Sequence, residues 1–303
     1  MHPPPSMIIF TVLTGLGLGL MATIGLGLGG QGHLFGWIAV PMTLAITGLG
    51  GMASVGHLAN PKNAWRAFSQ WRSSWLSREA CLMVLTMGLF FVYACLWLLT
   101  DTRITILGWG VAALATATVY STAMIYAQLR TVPRWSGTPT PWLFLILAGA
   151  GGLLANAAAS ALAGIDGPGW LTFAALIIAA ATAIWWQTQA AGARRGLYGS
   201  SLETATGLAG LGRVTSFERP HTGSNYLLNE MAYQVGRNRA FQLRRLGAVL
   251  GFALPMVLAL IALAVGGWVL ILALIAHVTG MLALRWLFFA EAEHVQALYY
   301  GMK

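Results

Sequence analysis

Residues 80–100, from Ala80 to Thr100, read ACLMVLTMGLFFVYACLWLLT and carry no charged side chain. Coiled as an α-helix they extend about 32 Å, which matches the hydrocarbon core of a bilayer. Hydrocarbon offers no water to an unpaired backbone, and the run lacks the strict alternation that a barrel strand needs. The stretch is therefore a membrane-spanning helix. Working outward from it, seven further runs with almost no charge lie at about 6–28, 34–57, 104–127, 141–163, 168–190, 247–266 and 268–289. The expected fold is all-α, a polytopic membrane bundle of about eight helices forming a single anchor domain over residues 1–303. The leader Met1-His2-Pro3-Pro4-Pro5 lacks the basic start of a signal peptide, so the first run is expected to be a retained helix. Composition agrees: 57% of the 303 residues are hydrophobic and 8% charged. A soluble chain carries about 25% charge, which rules against a soluble enzyme, a disordered protein and a disulfide scaffold.

Seventeen Lys and Arg against eight Asp and Glu give a net charge of +9. Their distribution follows the connections. Lys62, Arg66, Arg72 and Arg78 join the second and third spans, and Arg130 and Arg134 the fourth and fifth. Arg194, Arg195, Arg213, Arg219, Arg237, Arg239, Arg244 and Arg245 join the sixth and seventh, with Arg285 and Lys303 near the C-terminus. All of these fall on one face, against Arg103 alone on the other. The balance thus reports topology rather than a nucleic-acid partner, and it places both termini and the large connections in the cytoplasm of a bacterial inner membrane. Cys81 and Cys95 lie on one predicted helix about 21 Å apart along its axis, too far to pair, and two thiols make no zinc site.

Two connections on the basic face are long enough to do more than connect. In residues 58–79, Trp65, Trp71 and Trp75 interleave with Arg66, Arg72 and Arg78, as suits a segment at the lipid headgroups, whether as a plain aromatic anchor or as part of a site. Residues 191–245 form a large loop, rich in Gly, Ser and Thr at first. From about Asn225 it reads as a helix leading into the seventh span, with Tyr226, Leu227, Met231 and Val235 on its apolar side.

The glycines from Gly15 to Gly30 imitate a nucleotide-binding loop but follow no strand, so they are better read as close helix contacts, Gly15 with Gly19 and Gly25 with Gly29. No Asp or Glu lies deep inside a predicted span, which weighs against ion-coupled transport but leaves a neutral-solute transporter open. Asn156 is the clearest polar residue in the fifth span and suits an interhelical hydrogen bond. A membrane haem needs two histidines at one depth on facing helices, and His33, His57 and His277 signal no such pair, so no haem is expected.

His57 and Glu79 end the second span and begin the third, so both belong at the basic face. An imidazole and a carboxylate there can exchange protons between water and the membrane. Quinone chemistry needs that, since a quinol releases two protons on oxidation and a quinone collects two on reduction. The alternative is structural: an interfacial histidine, with Ser77 and Glu79 as a helix N-cap and its first-turn carboxylate.

The run Ser54-Val55-Gly56-His57-Leu58-Ala59-Asn60-Pro61, continuing through Gln70-Trp71-Arg72-Ser73-Ser74-Trp75-Leu76-Ser77-Arg78-Glu79, resembles the DMSO reductase anchor subunit family, DmsC type. So do Thr122-Ala123-Met124-Ile125-Tyr126 with Pro133-Arg134-Trp135, and Asn229-Glu230-Met231-Ala232-Tyr233. The resemblance implies an eight-helix anchor without redox metal of its own, bound to a four-cluster iron–sulfur subunit that connects to a molybdopterin catalytic subunit. It also implies a bound quinone, ubiquinone or menaquinone, with His57 and Glu79 matching the residues tied to quinol binding and proton transfer. Arg72, Arg78 and Trp71 are then expected to shape that site or touch the partner, and Tyr126 to donate a hydrogen bond to the quinone. Within the family, the 70–79 block and the His-Pro start are more similar to the sulfite dehydrogenase branch, which reduces quinone, than to the DMSO reductase branch, which oxidises menaquinol. Either way the anchor does not meet the sulfur substrate.

Overall fold

The computed structural model describes residues 5–30, 32–56, 61–165, 167–196, 201–215, 217–218 and 239–295. Among them stand eight helices long and apolar enough to cross a membrane. They are α1 (Pro5–Gly25), α2 (His33–Val55), α3 (Trp75–Thr100), α4 (Thr105–Ala127), α5 (Pro139–Leu162), α6 (Gly169–Gly196), α7 (Ala240–Val265) and α8 (Val269–Ala290). Their alternating direction puts the start of α1, the ends of α2, α4, α6 and α8, and the connections between these helices at the basic face. Threonines within the apolar helices satisfy their hydroxyls on carbonyls of their own turn, as Thr11, Thr43 and Thr47 do.

α1 is the central helix, packed against α2, α4, α5 and α8. Small residues permit those approaches. Gly19 on α1 and Gly152 on α5 meet backbone to backbone, and a Cβ on either collides with the other helix; Gly17 sits likewise against Thr47 of α2, and Gly25 against Gly108 of α4. The expected glycine pairs are corrected in two respects. A Cβ on Gly15 would meet nothing within 4 Å, and Gly29 lies beyond the end of α1, against the side chain of Asn156. Asn156 donates to Thr23 Oγ1 at 3.1 Å and to the Leu28 carbonyl at 3.0 Å, tying α5 to α1 and the turn after it.

α7 carries a π turn at Val249–Ala253, and its cause is local. Pro255 has no N–H, so the carbonyl of Gly251 one turn earlier loses its helical donor. His277 Nδ1 of α8 donates to that carbonyl at 2.7 Å, and Gly280 beside it leaves room for the two helices to touch at Gly251. The irregular turn thus becomes the α7–α8 contact.

The boundaries differ most from those read in the sequence at α3, α6 and α7, α6 running on to Gly196 where its end was expected near residue 190. α3 begins at Trp75 rather than near residue 80, because Ser74 is extended and accepts the backbone N–H of Ser77. Glu79 is consequently the fifth residue of the helix and not a first-turn carboxylate, so the cap reading of Ser77 and Glu79 is wrong. α7 begins at Ala240, seven residues before the expected span, and the helix expected from Asn225 falls largely on residues 219–238, outside the described residues. Among the described residues of the loop is a short helix, Leu202–Thr206, capped by Ser201.

Candidate functional site

The basic-face end of α3 is fixed by its own arginine. Arg78 Nε donates to the Trp71 carbonyl at 3.0 Å and Nη2 to the Arg72 carbonyl at 2.7 Å, while its guanidinium stacks 4.3 Å over Trp75. Ahead of it, Pro61–Phe68 is a 3-10 helix with Trp65 exposed, and Trp71 and Arg72 also face outward, the two stacked at 5.5 Å.

One turn into α3, Glu79 is 5% exposed. Its carboxylate accepts the hydroxyl of Thr122 on α4 at 2.5 Å. The same hydroxyl lies 3.1 Å from the carbonyl of Thr118, so it has two alternative acceptors. Ser121 donating to the Trp75 carbonyl and Thr86 paired with Thr118 continue this polar seam between α3 and α4. The expectation that carboxylates avoid the spans is therefore narrowed: Glu79 is inside a span, about 6 Å from its basic end.

Thr122 also lines a pocket of about 890 Å³, its mouth included, bounded by α1, α4, α5, α6 and α8. Most of its wall is apolar, from Val12, Leu16, Leu143, Leu147 and Met281 among others, with Thr11, Thr14, Gln187, His277 and Arg285 as the other polar groups. That lining, apolar walls with a few polar groups set among them, is the kind that small-molecule sites have. Counting residues from the helix ends, Thr122, Arg285 and Phe144 stand about 7–8 Å below the basic face and His277 about 20 Å below it. The hydrogen bond to Gly251 puts the proton of His277 on Nδ1, which turns Nε2 toward Gly151 as an acceptor.

Toward the basic face the pocket is roofed by aromatic rings. Trp135 stacks on Phe288 with 5.3 Å between centroids and donates to the Phe288 carbonyl at 2.9 Å; Trp186 also stacks on Phe288, at 5.2 Å. Tyr126 is buried in this roof between Phe144, Phe288 and Phe289 and is not among the residues lining the pocket. Above the roof, Glu291 pairs with buried Arg134 and, at 2.7 Å, with Arg244, joining the 128–138 connection to the start of α7 and the end of α8. Removing the carboxylate takes an ion-pair partner from a buried guanidinium. Glu291→Ala is expected to destabilise the chain by about 3–5 kcal/mol, and Glu291→Gln by less, read as a fall in the thermal midpoint of the detergent-extracted protein. An unchanged midpoint for Glu291→Ala contradicts a structural role for this cluster.

Of the residues singled out in the sequence, Glu79 reaches the pocket wall through Thr122. Trp71, Arg72 and Arg78 do not line the pocket, and His57 lies outside the described residues. Among the described residues His277 is the one histidine inside a span, since His33 opens α2 at the opposite face and His294 follows α8. Sequence reasoning missed Arg285, which was counted with the basic face. It is 8% exposed and inside α8. Its signal was present, an arginine within an apolar run. Thr122 carried none, being one hydroxyl among many.

The family model described as DMSO reductase anchor subunit (DmsC) matches residues 1–208. The chain is also 32% identical to a sulfite dehydrogenase subunit from Allochromatium vinosum, across 99% of each of the two chains. No solved structure matches.

Proposed function

The chain belongs to the DMSO reductase anchor subunit (DmsC) family, and from that premise we propose that it is the quinone-reactive membrane anchor of a sulfite-oxidising complex. In this reading a molybdopterin subunit takes two electrons from sulfite and a four-cluster iron–sulfur subunit passes them singly to the anchor. A bound quinone accepts two electrons and two protons and leaves as quinol. The observation that carries the reading is the buried carboxyl of Glu79, joined by one hydroxyl to a largely apolar, membrane-embedded pocket. The pocket's residues fit such a ring, with a flat aromatic roof, apolar walls and few, well-separated polar groups.

The chain's own groups supply the protons. Glu79 takes a proton from the basic face and holds it at the α3–α4 seam. When Glu79 is ionised, Thr122 donates to it. When Glu79 is protonated, its O–H donates to Thr122 Oγ1, whose own proton turns to the Thr118 carbonyl or to an acceptor in the pocket. His57, just past the end of α2, is proposed from the family resemblance as the second proton-exchanging group. In this reading the basic face is the cytoplasmic one, which the distribution of arginines supports, with the exposed Trp65, Trp71 and Arg72 toward the docked iron–sulfur subunit or the lipid headgroups. The choice of sulfite follows the relative that bears that name.

The test is what purifies with an affinity-tagged chain. Iron–sulfur absorbance and stoichiometric molybdenum are expected to co-elute, and a chain that purifies alone and moves a neutral solute across vesicles overturns the reading.

A further inference from the structure

We propose that Arg285 is the group that fixes the headgroup in the pocket, its guanidinium donating to a ring carbonyl oxygen; this rests on the quinone reading above. A guanidinium inside a membrane helix costs a few kcal/mol and is ordinarily paired. Among the described residues no carboxylate lies within ion-pair distance of Arg285. What holds it are ring faces, Phe144 at 3.9 Å and Phe288 at 5.3 Å. Rings cover the face of the guanidinium plane, whereas its N–H donors point outward along the edge. The side chain is more than nine-tenths buried and lines the pocket.

The other polar groups of the lining are uncharged hydroxyls, an amide and an imidazole, so one cation faces a mostly apolar chamber. An anionic phosphate calls for more donors than that, whereas a neutral ring with carbonyl oxygens asks for one strong donor and a flat surface. Arg285 and Thr122 stand at the same depth, which puts the anchoring donor and the proton path at one end of the pocket. His277 lies eight residues deeper on the same helix, about 12 Å along its axis and beyond the span of one ring. The apolar stretch between them takes the start of the isoprenoid tail. Held there, Arg285 also places a fixed positive charge where negative charge gathers on the ring oxygen as electrons arrive before protons.

The experiment uses the intact complex in detergent and a short-chain ubiquinone labelled with 13C at its carbonyls. Equilibrium binding and the infrared carbonyl band are measured for wild type, Arg285→Gln and Arg285→Lys. The bound wild-type band is expected to shift from its position in detergent alone. Arg285→Gln should lose the shift and bind about 10- to 100-fold more weakly, with Arg285→Lys between them. Wild-type affinity and an unchanged band in Arg285→Gln overturn the assignment. If that variant does not accumulate, 15N-arginine in the wild-type complex decides, because quinone addition must then move a guanidinium band, and a still spectrum overturns the proposal. A wild-type complex that binds no quinone overturns the quinone reading itself and this inference with it.

Discussion

Replacing Glu79 with glutamine is expected to lower quinone-coupled turnover by about 100-fold or more, while the catalytic partner keeps its full activity with an artificial dye. Glutamine preserves the shape at the α3–α4 seam and still accepts the Thr122 hydroxyl, so helix packing is maintained. It cannot give or take a proton, and a positioned acid or base is worth about 10²–10⁴ in rate. Thr122→Val should fall between wild type and Glu79→Gln, because the carboxyl remains but its connection to the pocket is broken. Dye activity separates this loss from failed assembly, since the dye draws electrons before they reach the anchor. Full quinone activity in Glu79→Gln shows that protons enter by another route.

Gly152→Val is expected to remove nearly all of the chain from the membrane. Overpacking a core ordinarily costs about 1–3 kcal/mol because a side chain can shift or change rotamer. At Gly152 the obstacle is the backbone of α1 at Gly19, which has no rotamer to change. The two helices must separate, and α1 is also the partner of α2, α4 and α8, so the damage spreads through the bundle. The matched control is Gly149→Val one turn earlier on α5, where an added Cβ meets nothing within 4 Å. Immunoblots of membranes should show Gly149→Val near wild-type level and Gly152→Val reduced about tenfold or more. Equal levels contradict the close α1–α5 crossing.

The bundle was legible because the physics of a span is local: about 20 apolar residues suffice to define each helix. All eight spans were found that way. The ends were less legible where a cap competes with hydropathy. Ser74 starts α3 ahead of its apolar run, and α7 begins at Ala240 among arginines. That shift at α3 turns Glu79 from an edge carboxylate into a buried one. The pocket could not be read at all, since its wall is drawn from five helices whose mutual rotation no single run of sequence encodes. Glu79 was picked out by charge and position, whereas Arg285, equally unusual, was absorbed into a count of basic residues. Hydroxyls such as Thr122 gain meaning only from a neighbour on another helix. The small residues were half legible: Gly19 and Gly25 are close contacts, while Gly15 opens onto the pocket.

Electrons are proposed to leave an iron–sulfur partner through this chain to a quinone. The decisive measurement adds sulfite to the purified complex until the iron–sulfur absorbance is bleached and then mixes it rapidly with a short-chain quinone. In wild type the absorbance is expected to return as quinol forms, and Glu79→Gln is expected to slow its return by the same large factor as it slows turnover. Clusters that stay reduced in the wild-type complex with quinone present contradict that route.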